Sequence, residues 1–283
     1  MDTDLLKTFL EVARTRHFGR AAENLYLTQS AVSSRIRQLE GALGVELFSR
    51  HRNNIQLTPA GEKLTPLAES SVVLEQRIRH EVSLGADRHY QLAIGATPNI
   101  WDAVLQPRMP RLLRRPGIAV SALAHSGTTL VRQILERSLD LALVFDVPKV
   151  DELASQVVMD VTLHMVASQP CDDWSMAAEL GYVWVDWGTS FRMQHAQALK
   201  DMPAPVLTTN TGRIALDSIV SEGGAAYLPA GLAEPWLQQG SLHRVANAPV
   251  MTRHVYASYL QSRKDEPLIL DVLQQLSQPE TSA

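Results

Sequence analysis

A single cysteine, Cys171, stands among 283 residues. That excludes an internal disulfide and any zinc cluster built from cysteines, and it suits the cytoplasm as the expected location. A lone thiol can be a nucleophile or a redox sensor, but a passive, partly buried side chain is the better reading. Long apolar runs are missing too. None approaches the ~20 residues that span a bilayer, so no membrane partner is expected. The opening MDTDLLKTFLEV begins with acids and a helical period, unlike a secretory leader. The phosphate-loop, dinucleotide-binding, nucleophile-elbow and zinc-protease motifs are all absent. The nine histidines are scattered without ligand-like spacing. His125 beside Ser126 resembles a fragment of a nucleophile pair but reads better as a turn cap. No catalytic residue, metal or cofactor is therefore expected, and an enzyme is disfavoured. Charge is not extreme: the net value is −4, with 45% hydrophobic and 20% charged residues. These are the values of a globular protein with room for two or three domains.

The chain is organised around residues 18–44, FGRAAENLYLTQSAVSSRIRQLEGALG. A helix is expected from Gly19 to Leu25, then a turn at Tyr26 and Leu27, then a second helix capped by Thr28. Val32, Ile36, Leu39 and Leu43 fall four, three and four apart, one inward stripe of a 3.6-residue period. Ser30, Ser34, Arg37 and Gln38 occupy the opposite face, flanked by Gln29, Ser33 and Arg35. Small hydroxyls permit close approach to a base-pair edge, Gln can pair with adenine, and Arg can pair with guanine or a phosphate. A merely solvated amphipathic helix would carry the same stripe. Gly41 and Gly44 are expected to close the helix. An earlier helix over 3–15, with Leu5, Leu6, Phe9, Leu10 and Val12, backs the pair.

The next residues favour groove binding over mere solvation. LFSRHRNNIQLTPAG reads as strand (Leu47 to Arg50), polar turn, strand (Ile55 to Thr58), with Arg50, Arg52 and Asn53 near the tip. Residues 14–52 hold seven Arg against three acids, a local +4 within an acidic chain. That is the footprint of an electrostatic docking face. The stretch LLKTFLEVARTRHFGRAAENLYLTQSAVSSRIRQLEGALGVELFSRHRNNIQLTPAGEKL closely resembles the winged helix-turn-helix of the LysR-type transcriptional regulators. Within that family it most resembles a group of flagellar-operon repressors, through TRHFGRAAE, TQSAVS and RHRNNI. Many members carry Pro and Arg where this chain has Ser30 and Ser34, and here the Arg stands at 35.

Pro59 suits the first turn of a helix expected to reach Leu84, with a local kink at Pro66 and a cap at Gly85. Leu64, Leu67, Ser71, Leu74 and Ile78 alternate by three and four, the seam of a coiled coil. Dimerisation through Leu64, Leu67, Leu74 and Ile78 is expected; the bland alternative is a helix lying on its own domain. A dimer would set two recognition helices ~34 Å apart, in successive major-groove turns.

From Tyr90 short apolar runs alternate with helical stretches, as in βαβ units. Strands are expected at 90–96, 118–124, 139–145, 160–168, 182–186, 205–209, 224–229, 242–245 and 254–260. Helices are expected at 99–114, 128–138, 190–199, 212–222, 230–238 and 265–277. The order implies two α/β lobes, the first from 89–162 plus 258–283 and the second from 163–257. The resemblance implies more: the family's effector domain is similar to the bilobed periplasmic solute-binding fold. Open parallel sheets bind ligands beyond the carboxyl ends of their strands. Thr97, Asn99, Ser126, Thr128, Asp146, Trp187, Thr189 and Thr208 stand there, although plain helix caps would occupy the same places. Asp146 and Trp187 at the cleft mouth would disfavour an anionic ligand.

The expected fold is thus α+β and α/β. A winged helix-turn-helix (1–59) is followed by a long dimerising linker helix (60–88) and a bilobed effector domain (89–283). The resemblance implies a regulator binding double-stranded DNA as a homodimer or dimer of dimers, responsive to a small molecule, with RNA polymerase a further candidate partner. The alternative is a solute-binding protein or enzyme with an appended DNA-binding domain.

Overall fold

The computed structural model describes residues 2–51, 54–83 and 88–278. It separates into two compact units, Met1–Ala86 and Asp87–Ala283.

In the first unit, α1 (Thr3–Thr15), α2 (Phe18–Asn24) and α3 (Gln29–Leu43) precede a two-stranded antiparallel wing, β1 (Phe48–His51) and β2 (Asn54–Leu57). A long helix, α4 (Pro59–Ser83), comes next. Leu5, Phe9 and Val12 of α1 pack with Ala21 and Ala22 of α2, Val32, Ile36 and Leu39 of α3, and Phe48 of the wing. The inward stripe of α3 is therefore sealed, which is what commits its opposite face to solvent. Each start has a local cause. Asp2 caps α1 and Thr28 caps α3, while the His17 imidazole accepts from Gly19 N and Arg20 N and starts α2 one residue earlier than expected. The wing strands also shift by one residue from their expected bounds. Gly44, at φ 70°, ends α3, whereas Gly41 lies inside the helix. A Cβ on Gly61 would stand 2.3 Å from the Leu47 carbonyl oxygen, so only glycine lets α4 dock this closely on the chain entering the wing. The helix runs through Pro66, and its expected end at Leu84 and cap at Gly85 lie outside the described residues.

The second unit begins with β3 (Arg88–Ala96), α5 (Pro98–Ile100), a π turn over Trp101–Leu105 and α6 (Gln106–Leu113). The single helix expected over 99–114 is thus interrupted. Pro107 and Pro110 cannot donate to a regular α ladder, and the wider turn lies just upstream. Next come β4 (Gly117–Ala124), α7 (Gly127–Leu135), β5 (Leu141–Val144) and β6 (Leu153–Ala167). Then come α8 (Trp174–Glu179), β7 (Tyr182–Val185), α9 (Thr189–Ala198), β8 (Leu207–Thr209), α10 (Gly212–Ser221) and β9 (Ala225–Pro229). The unit closes with α11 (Ala230–Gln238), β10 (His243–Arg244), β11 (Met251–Leu260) and α12 (Pro267–Ser277).

The sheet order is β4-β3-β5-β11-β6-β9-β7-β8, with β10 on β6. β3, β4 and β5 run parallel, as do β7, β8 and β9; β6 and β11 pair antiparallel and join the two parallel halves. These two long strands differ from expectation. The strand expected at 160–168 is the end of a 15-residue one, and that expected at 254–260 begins at Met251. The early part of β6 is half-buried at Leu153–Ser155 and exposed at Gln156 and Val157, and Ser155, Gln156 and Asp160 break up its apolar residues. Helix α8 was not expected; Asp173 caps it.

Candidate functional site

The first site is the outer face of α3. Ser30, Ser34, Arg37 and Gln38 are exposed there, directly opposite Val32, Ile36 and Leu39. Gln29 is exposed at the amino end and Ser33 is half-buried on the flank. Thr28 Oγ1 accepts from Ala31 N at 3.2 Å and lies 3.0 Å from Ser30 Oγ, so the first turn is held rigid. The Arg37 guanidinium folds back to the Ser33 carbonyl at 3.3 Å and remains exposed. Arg35 is set apart from this group. Its guanidinium donates to Thr8 Oγ1 at 3.3 Å and lies 3.7 Å from the Asp4 carboxylate, tying α3 to α1. The turn of 100° per residue carries position 35 towards α1, away from the stripe at 30, 34 and 37. Arg52, Asn53 and the Arg50 side chain lie outside the described residues.

Helix α4 has two unlike faces. Ala68 and Val72 pack into the unit's core, and Lys7 Nζ reaches Glu75 at 2.8 Å. Lys7 and Arg79 together hold the Glu75 carboxyl below its ordinary range. On the other side Leu67, Leu74 and Ile78 are 58%, 38% and 53% exposed, a spacing of seven and four. Leu64 differs from the other seam residues: it packs against the unit's own core.

The second site is a cleft of about 570 Å³ in the second unit. Thr97, Asn99, Ser126, Thr128 and Asp146 line it, as expected from the strand ends. The Thr97 hydroxyl oxygen is buried with no hydrogen-bond partner among the described residues. Ser126 caps α7, accepting from Thr129 N at 3.3 Å, and its hydroxyl lies 3.1 Å from that of Thr128. Ser126 is thus a helix cap, not half of a nucleophile pair. Sequence reasoning missed Lys149, Asp186, Arg192 and Asn210, which add two cations and an acid to the wall. Lys149, Asp186 and Asn210 lie on connections, where no periodicity marks an inward side chain.

Three expected residues, Trp187, Thr189 and Thr208, do not line the cleft; Thr189 is exposed at the start of α9, where its backbone N–H donates to Asp146. Trp187 is fully buried, with its indole nitrogen donating to the Tyr227 carbonyl at 3.0 Å. A large ring with a satisfied N–H gains more in the core than at a cleft mouth. Thr208 is exposed on the sheet's edge strand β8 and does not line the cleft.

Two buried side chains bind the lobes across the cleft floor. Asn99 donates to the Asp186 carbonyl at 2.8 Å and accepts from Gly212 N at 2.6 Å. Arg253, 4% exposed, donates to the carbonyls of Phe145 (3.0 Å) and Trp187 (2.8 Å) and to Asp146 Oδ1 (3.0 Å). The other Asp146 oxygen accepts from Thr189 N at 3.0 Å. Thus a carboxylate from the end of β5 caps α9, and an anion at a helix amino end is favoured by the backbone dipoles. Arg253 had a signal in the sequence: strand alternation places it with Met251 and Val255 on the inner face.

Behind α9 lies an aromatic cluster of Tyr182, Trp184, Phe191 and Tyr227 around His195. Burial pushes the His195 imidazole down to about 4, and its ring meets the Tyr182 hydroxyl at 2.9 Å. Burial pushes the Tyr182 and Tyr227 hydroxyls up. Burial, with Asp172 and Asp173 nearby, also raises the Cys171 thiol, opposing nucleophilic chemistry there. Among the described residues, no three His, Cys, Asp or Glu converge as a metal site would need. Among them, too, no helix is long and apolar enough to cross a membrane.

Residues 3–62 match the family described as bacterial regulatory helix-turn-helix protein, lysR family, and residues 85–279 match the LysR substrate binding domain. The chain is 44% identical over 277 residues to the HTH-type transcriptional regulator HdfR of Salmonella newport (strain SL254), covering 96% of this chain and 97% of the relative. The same values hold for HdfR of Salmonella typhimurium. Among solved structures, CbnR, a LysR family transcriptional regulator, is similar with a TM-score of 0.77 at 15% identity, covering 100% of both chains. Full-length CbnR complexed with its target DNA gives 0.74 at 16% identity, over 98% of this chain and 99% of that one.

Proposed function

The chain belongs to the LysR family of bacterial transcriptional regulators, and from that premise we propose how its residues act. The family's function, control of transcription, is this chain's function. Helix α3 enters the major groove of double-stranded DNA. Ser30, Ser34 and Arg37 face the base edges, with Gln29 and Ser33 beside them. Thr28, Arg50, Arg52 and Asn53 lie along the phosphates, and Arg35 holds α3 on α1 in the docking pose. The observation that carries this reading is the exposed polar stripe of Ser30, Ser34 and Arg37 on a helix whose other side is sealed.

Two chains pair through Leu67, Leu74 and Ile78 of α4, as a homodimer or dimer of dimers, so that two recognition helices read two half-sites. Residues 1–59 form the DNA-binding domain, 60–88 the linker and 89–283 the effector domain. A small effector enters the cleft at Thr97, Asn99, Ser126, Thr128 and Asp146. It acts by shifting the population of lobe arrangements, not by being turned over. The protein works in the cytoplasm without enzymatic activity, with RNA polymerase as a further partner. The resemblance of TRHFGRAAE, TQSAVS and RHRNNI to flagellar-operon repressors makes flagellar genes the first targets to examine.

The test is Arg37→Ala in a titration with duplexes selected from a random pool by the full-length chain. Binding should weaken by ~1–3 kcal/mol if Arg37 pairs with guanine, or fall evenly across sequences with a salt slope lower by about one if it meets a phosphate. Unchanged affinity would remove Arg37 from the interface.

A further inference from the structure

We infer that Tyr26 is a DNA-contacting residue, its phenol lying on the sugar-phosphate strand at the rim of the groove that α3 enters. The inference rests on the DNA-binding reading above and adds a residue to it. Tyr26 stands between α2 and α3, two positions before the cap Thr28, and it is 96% exposed. Its hydroxyl has no hydrogen-bond partner among the described residues. The ring therefore contributes almost nothing to the core.

Its backbone makes the choice of residue informative. Leu27 N donates to the Ala22 carbonyl at 2.8 Å and Tyr26 N to the Glu23 carbonyl at 3.2 Å. These are the paired bonds that close a helix with one left-handed residue, and Tyr26 is that residue, at φ 55°. Glycine occupies such a position without steric penalty, whereas a bulky side chain is disfavoured there. A tyrosine thus sits where folding alone favours glycine, and its side chain points into solvent. Residues at the amino end of a recognition helix approach base edges, so the turn just before it meets the flanking strand. Tyrosine hydroxyls are among the groups that contact phosphates and sugars, and such contacts set register without reading sequence.

The experiment uses full-length wild type, Tyr26→Phe and Tyr26→Gly, a selected duplex, a non-specific duplex of equal length, and thermal unfolding of each protein. Tyr26→Phe should lower affinity roughly three- to tenfold, the worth of one neutral hydrogen bond, and by the same factor on both duplexes. The salt slope should stay that of wild type, because a neutral hydroxyl displaces no counterion. Tyr26→Gly should bind at least as weakly as Tyr26→Phe while its Tm is unchanged or higher. Wild-type affinity in both variants overturns the inference. So does a loss confined to the selected duplex, which would make Tyr26 a base reader. A Tyr26→Gly chain that loses Tm and affinity together, beside a Tyr26→Phe chain that binds normally, shows that the ring serves the fold and overturns it too. If wild type itself selects no duplex, the DNA-binding reading fails first and takes this inference with it.

Discussion

His195 shows how far one residue's setting can depart from its sequence neighbourhood. It lies on α9 among polar residues, yet it is buried against Tyr182, Phe191 and Tyr227 and its pKa falls from 6.5 to about 4. Below pH 6.5 the unfolded chain takes up a proton that the folded imidazole refuses. This group's contribution to stability is therefore full above pH 6.5 and declines as pH falls towards 4. Urea unfolding of wild type and His195→Gln at several pH values should show a shallower decline in the variant across that window. Parallel curves would show that His195 does not carry the dependence. Arg35 makes a similar point about position. It reads as a base contact beside Ser34, but its guanidinium is turned to Thr8 and Asp4. The helical turn was legible, but where α1 crosses was not.

Among the elements, α4 separates what periodicity reveals from what it leaves open. The three-four alternation from Leu64 to Ile78 marks an apolar seam, yet a seam can face the chain's own core or a partner. Both occur: Leu64 packs inward, while Leu67, Leu74 and Ile78 are exposed. Charging Leu67→Lys and Leu74→Lys together should separate the proposed dimer in sedimentation velocity while leaving the unit folded, because neither side chain is buried in the monomer. A double variant that still sediments as a dimer would move the interface elsewhere. Helices α1 to α3 and the wing were legible to within a residue because caps, stripe and turn are local. Strands β6 and β11 were not, because they are defined by pairing with each other across 88 (Met251 with Leu163) to 107 (Leu260 with Leu153) residues.

For the second unit as a whole, the decisive contacts join segments remote in sequence. Arg253 links Phe145, Asp146 and Trp187, while Asn99 links Asp186 and Gly212. Replacing Arg253→Met leaves two carbonyls without their donor and Asp146 without its cation. Since Asp146 is about half exposed, water recovers part of that loss. A destabilisation of about 2–3 kcal/mol is expected from losing these charge-assisted bonds, read as a lower urea midpoint for the full chain. A midpoint equal to wild type would show that the lobes are held together by other contacts.

By itself the sequence determined the helix-turn-helix, the capped α3 with its polar face outward, the apolar seam of α4 and the alternation of strands and helices. Each follows from propensity and spacing within a few turns of chain. Only the tertiary structure decided that Arg35 turns to Thr8 and Asp4 of α1, that Trp187 is core, that Thr208 is at an edge, and that Arg253 holds the cleft floor. Those outcomes depend on which distant segment supplies the neighbouring acceptor or apolar surface, and a side chain's burial is set by that neighbour.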